Sequence, residues 1–147
     1  MTRRVVTGLD RDGRSTIMIE GDVPRFNGSN LSVVWKSDGP VADNSGRTDA
    51  SVPYGIHLIH AGGTNFVTCE FPPGNDAFLH TTDTLDYMVV ISGRMTVVAE
   101  TGEAEVGPGD MVVSRGVPKA WRNEGPESCL CAVVTIPALP VGAGRTI

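Results

Sequence analysis

From Asp86 onward, apolar and polar residues follow the two-residue period of an extended chain. Tyr87, Met88, Val89, Val90 and Ile91 form an apolar run; after Gly93, Met95, Val97 and Ala99 alternate with Thr96, Val98 and Glu100. That period sends successive side chains to opposite faces, so the stretch predicts two strands joined by a tight Ser92-Gly93-Arg94 turn. Thr101-Gly102-Glu103 reads as the next turn, 104–106 as a short strand, and Pro108-Gly109-Asp110 as the turn before a strand over 111–114. Leu130, Ala132, Val134 and Ile136 alternate cleanly up to Pro137, which ends that strand. Upstream the pattern is weaker, and 16–20, 31–35, 56–60 and 65–71 read as strands. Short strands at this spacing predict a β-sandwich or barrel. Eighteen glycines and ten prolines leave few windows for a helix of ordinary length.

Residues 36–53 (KSDGPVADNSGRTDASVP) interrupt the alternation with a polar run too long for a plain turn, and read as a lid or a disordered segment. Residues 137–147 read as a loosely packed extension or a partner-binding strap. No internal repeat is visible, and 147 residues suit one domain over 1–147, its barrel over about 16–136.

Twelve Lys and Arg against seventeen Asp and Glu give a net charge of −5, which disfavours nucleic acid and anionic membrane surfaces as partners. The longest apolar runs, such as Met88-Val89-Val90-Ile91, are too short to span a bilayer, and the first eight residues lack the apolar stretch of a secretory signal. A cytoplasmic location with no membrane partner is the expectation. Cys129 and Cys131, two apart in a strand, point the same way and with Cys69 make an odd count. They read as small buried hydrophobes, not as a disulfide framework.

Two segments concentrate the residues able to do chemistry. In the first, Gly74, His80, Thr82, Asp86 and Gly93 keep the spacing GxxxxxHxHxxxExxxxxxG, and the segment resembles the first motif of the cupin superfamily. Pro108-Gly109-Asp110 and Gly116-Val117-Pro118-Lys119-Ala120-Trp121-Arg122-Asn123 resemble the second motif of that family, with Lys119 at its histidine position. Together the motifs cover 73–136, about half the chain. The resemblance implies an all-β, double-stranded β-helix (jelly-roll) barrel. The string from His80 to Tyr87, with Ala120-Trp121-Arg122-Asn123, is further similar to a subgroup of small single-domain bacterial and fungal cupins.

In that family two histidines and a carboxylate from the first motif join a histidine from the second to hold a divalent metal, leaving positions open for substrate or O₂. Carried over position by position, the ligand slots fall on His80, Thr82, Asp86 and Lys119. The expectation is therefore no cofactor; a divalent transition metal such as Fe, Zn, Mn or Ni, if bound, would rest on His80 and Asp86. Lys119 is expected to enter an apolar cavity and pair with Asp86, a fixed organic cation where the metal's charge would be. His80, Asp86 and Lys119 are then the candidate catalytic residues, His80 having an ordinary pKa suited to acid–base work. Thr82, Trp121, Arg122, His57 and His60 are candidate substrate-binding residues. His57 and His60, three apart on a strand, would face opposite sides, so one at most would reach the cavity.

These readings converge on a lyase, dehydratase or isomerase that moves protons on a small anionic or carbonyl-bearing metabolite, in a secondary-metabolite setting. The alternatives are a non-catalytic ligand-binding or structural cupin and a metal-dependent dioxygenase. A homodimer is expected, with residues 15–20 adding to a partner's sheet edge.

Overall fold

The computed structural model describes residues 2–147, and almost all of its regular structure is β. Ten strands run in chain order: β1 (Arg3–Leu9), β2 (Ser15–Asp22), β3 (Leu31–Lys36), β4 (Asn65–Phe71), β5 (Thr84–Ser92), β6 (Met95–Ala99), β7 (Gly102–Val106), β8 (Met111–Ser114), β9 (Lys119–Arg122) and β10 (Cys129–Pro137). One sheet has the order β3-β4-β10-β5-β8, a second has β7-β6-β9, and β1 pairs only with β2. The architecture is the all-β double-stranded β-helix, with its two main sheets packed face to face and not closed into a continuous barrel. A lone bridge ties β9 to the segment that leads into β5: His80 and Lys119 each donate a backbone N–H to the other's C=O at 3.0 Å.

The alternating pattern does what it implies. Thr84, Asp86, Met88 and Val90 of β5 and Cys129, Cys131, Val133 and Thr135 of β10 are buried, and the residues between them face outward. With Val33, Val67, Cys69 and Met95 the apolar members form one core. Burying each larger aliphatic side chain contributes about 1.5–3 kcal/mol. The β5–β6 turn requires its glycine: Gly93 has φ +72°, and a Cβ there would lie 2.3 Å from the Ser128 carbonyl oxygen. All three cysteines are free and buried.

One expectation is corrected. Residues 56–60 are not a strand but a 3₁₀ helix, Ile56–His60. Both edges of β4 are taken, by β3 and β10, and Asn65 Nδ2 donates to the Leu58 carbonyl at 3.1 Å, which holds the helix at the start of β4. Regular structure starts before residue 16, because β2 pairs with β1 of its own chain. The polar run after β3 lacks strands but is pinned, with Ser51 Oγ donating to the Val33 carbonyl at 2.7 Å.

The hairpin of β1 and β2 is clipped to the body through the buried Arg4, which donates to the Val34 carbonyl at 3.0 Å and pairs with Asp49. The C-terminal residues act as a strap on this chain. Thr146 N–H donates to the Thr81 carbonyl at 2.9 Å, and Thr81 N–H donates to Thr146 Oγ1 at 2.8 Å. Outside, Trp35, Phe66, Val134, Tyr87 and Val113 stand in register as an apolar row across all five strands of the larger sheet.

Candidate active site

A cavity of about 280 Å³ opens between the sheets. Val67, Met88 and Val133 of the larger sheet line it, and so do Phe71 and Trp121, whose rings lie 6.3 Å apart at 41°. His80, Thr82, Asp86, Lys119 and Thr135 form its polar side. Strand geometry explains part of the grouping: 84 and 86 are one period apart on β5, and the His80–Lys119 bridge sets the start of β9 beside the segment that leads into that strand.

The expected ion pair is absent. Lys119 is 4% exposed, and its Nζ donates to Thr82 Oγ1 at 2.9 Å, while Asp86 is 8% exposed and its Oδ1 has no hydrogen-bond partner. The reason is the backbone bridge, which places Lys119 against residues 80–82 rather than 86. Burial dominates both groups. It pushes Asp86 above the usual carboxylate range, against the Thr84 hydroxyl and then the Lys119 and His80 charges, and it pushes Lys119 below the usual amine range, against Asp86. Each is driven towards its neutral form.

Burial likewise lowers His80, with the Phe78 carbonyl opposing. His80 Nδ1 lies 2.9 Å from that carbonyl. A carbonyl only accepts, so Nδ1 carries the proton and the neutral ring keeps its lone pair on Nε2. Tyr54, also in the wall, is pushed up to about 12 by burial and by the Cys69 and Asp86 charges, and so remains a phenol donor. Cys69 is pushed up to about 12 by burial, which withholds the thiolate a nucleophile needs.

Among the candidates, His80, Thr82, Asp86, Lys119 and Trp121 line the cavity. Arg122 does not: it alternates with Trp121, faces outward and pairs with Glu103 at 3.0 Å and Glu124 at 3.3 Å. His57 is exposed, and neither it nor His60 lines the cavity. Strand alternation never applied to the two, since the 3₁₀ helix turns every three residues. Sequence reasoning missed Tyr54, Thr84 and Thr135. The spacing Thr82-x-Thr84-x-Asp86 was the available sign for Thr84; Tyr54 lies in irregular chain, where no period points to it.

A divalent metal does not fit this donor set. Among the described residues no group of three or more His, Cys, Asp or Glu side chains comes together. Two of the four family positions carry a hydroxyl and an amine, and these two bond to each other.

The fold, and the junction of the two motifs across the His80–Lys119 bridge, agree with the resemblance to the cupin superfamily. The chain is 28% identical over 130 residues to a cupin-domain-containing oxidoreductase, fogC, of Aspergillus ruber, covering 82% of this chain and 63% of that protein. It is 36% identical over 74 residues to phomopsin biosynthesis cluster protein C' of Diaporthe leptostromiformis, covering 50% of this chain and 38% of that one. The chain thus spans less than two thirds of either relative. A solved structure of a cupin 2 conserved barrel domain protein from Salinispora arenicola superposes with a TM-score of 0.47 at 20% identity, covering 51% of this chain and 64% of that one. No protein-family model matches the chain.

Proposed function

We propose that the cavity is the active site of a metal-independent enzyme, a lyase, dehydratase or isomerase, that moves protons on a small anionic or carbonyl-bearing metabolite. One observation carries this reading: His80, Asp86 and Lys119 line one cavity, with mostly apolar walls and with Asn75 and Asp76 also at its lining, without neutralising one another. The apolar walls would hold the carbon body, a carbonyl oxygen or oxyanion would meet the Lys119 ammonium, and Asp86 or His80 Nε2 would take the proton. A relative named for a biosynthesis cluster supports a secondary-metabolite setting. We also place the protein in the cytoplasm as a homodimer, since the open edges of the β1–β2 hairpin and the outer apolar row suit a second copy. No helix of the described residues is long and apolar enough to cross a membrane.

The test uses phenylpyruvate as an enolisable, anionic probe in D₂O. The unmodified protein is expected to speed exchange of its methylene protons, and Lys119→Met and Asp86→Asn are expected to abolish the gain. Binding without exchange would favour the non-catalytic ligand-binding reading, and neither binding nor exchange would count against this substrate class.

A further inference from the structure

Beyond β10 the chain makes a loop whose two ends are tied to one short stretch, 81–83. Ala138 N–H donates to the Asp83 carbonyl at 3.0 Å; farther on, Thr146 N–H donates to the Thr81 carbonyl at 2.9 Å, and Thr81 N–H donates to Thr146 Oγ1 at 2.8 Å. Between these ties Gly144, at φ +78°, lies against Asp83: a Cβ there would come within 3.2 Å of the Pro140 Cβ and 3.5 Å of Asp83 Oδ1. Burial does not hold this loop. Every residue from Ala138 to Ile147 is exposed except Gly144, with Leu139 and Val141 at 89% and 52%. The near end follows directly from β10, whereas the far end is held by hydrogen bonds to a single residue. A segment with so little buried apolar surface opens at a low free energy.

Ile147 nevertheless lines the cavity. With Ile56 and Phe78 it makes up the exposed large apolar side chains of that lining, and the three mark its mouth. Two of them are fixed: Ile56 starts the 3₁₀ helix that Asn65 holds, and the Phe78 ring packs 4.9 Å from the His80 ring. Ile147 alone of the three sits on a segment that can leave.

We infer that this strap gates the cavity: the Thr146–Thr81 bonds are its catch, and Ile147 is a movable piece of wall, the specificity-determining residue that limits how bulky a ligand can enter. The catch closes on Thr81, directly between His80 and Thr82, so a ligand that has passed Ile147 is shut in beside the polar groups of the site and water is kept out. The use of the gate in turnover rests on the proton-transfer reading; the gate itself does not, and is measured without substrate.

The experiment reads Cys69, a free thiol that lines the cavity, against Cys129 and Cys131, free thiols that do not line it and are 0% exposed. The full chain is treated at one fixed pH with methyl methanethiosulfonate and, separately, with the bulkier benzyl methanethiosulfonate, and the modified peptides are followed by mass spectrometry. Thr146→Val removes the oxygen that accepts from Thr81, while Ile147→Ala shortens the wall and leaves the catch. Each is expected to raise the Cys69 rate at least about fivefold without changing Cys129 or Cys131, and Thr146→Ser to return it to the unmodified value. The size limit requires the gain in Ile147→Ala to be at least about threefold larger for the benzyl reagent than for the methyl one. A Cys69 rate unchanged in Thr146→Val or in Ile147→Ala would overturn the gate, as would a rise in all three cysteines together, which means a loosened core. Equal gains for the two reagents would overturn the role of Ile147. A second measurement needs no variant: the Thr146 amide is expected to exchange with water at least about a hundredfold faster than the Cys131 amide in β10, and equal rates also overturn the gate. A protein with these signatures that leaves phenylpyruvate unexchanged would sink the proton-transfer reading alone, and an active one without them would sink the gate alone.

Discussion

Asp86 and Met88 lie one strand period apart on the same face of β5 and line the same cavity, 8% and 5% exposed. Met88 leaves water for the apolar core and stabilises the fold. Asp86 leaves water with one oxygen unpartnered, and the lost hydration opposes folding. The apolar side of the cavity holds the protein together, whereas the polar side is retained at the expense of stability, which is what a site kept for its chemistry looks like.

The sharpest way to break this contrast is to truncate each side in turn. Met88→Ala is expected to cost about 3 kcal/mol, read by urea denaturation, because it removes core contacts and leaves a cavity. A loss well under 1 kcal/mol would show that the apolar side is slack. Lys119→Met should go the other way and gain about 1 kcal/mol, since it replaces a buried amine with an apolar chain of similar length. A destabilised Lys119→Met would mean that the ammonium supports the fold.

The pH dependence sharpens the same point. The folded pKa of Lys119 lies below its ordinary 10.5, so its contribution is most favourable above that pH and is lost as pH falls through the folded value. The advantage of Lys119→Met should therefore grow from pH 10.5 downward and then level off. Asp86 is raised above its ordinary 3.8, so the advantage of Asp86→Asn should be absent at lower pH and grow as pH rises from 3.8 through the folded value. Parallel stability curves would contradict both directions. The smallest effect belongs to Arg122→Ala, which loses only partly exposed ion pairs: under about 0.5 kcal/mol, and no change in ligand binding by calorimetry.

Period-two alternation made β4, β5, β6, β8 and β10 legible in the sequence, because each buries one face. Motif spacing likewise led to His80, Asp86 and Lys119 as cavity residues. Illegible was whatever depends on the path of the chain in space. Residues 56–60 carry a strand-like composition but form a 3₁₀ helix held by Asn65, and Tyr54 reaches the wall from irregular chain that follows the pinned Ser51. The Lys119–Asp86 pair follows from the motif positions and opposite charge, but the backbone bridge at His80 directs the amine to Thr82 instead. Thr84 escaped notice because the apolar run starts at Tyr87, three residues after the strand itself begins.

The Arg4 clip also ties two distant parts of the molecule into one latch. The β1–β2 hairpin has no other strand as a ladder partner, and a two-stranded hairpin by itself is marginal in water. It is therefore expected to open as a unit of its own, ahead of the core, a difference that amide hydrogen exchange would read. When it lifts, the Arg4–Asp49 pair breaks, and Asp49 belongs to the stretch that leads through Ser51 to Tyr54 in the cavity wall. Fraying at the N-terminal edge is thereby felt as slack in the one phenol facing the site.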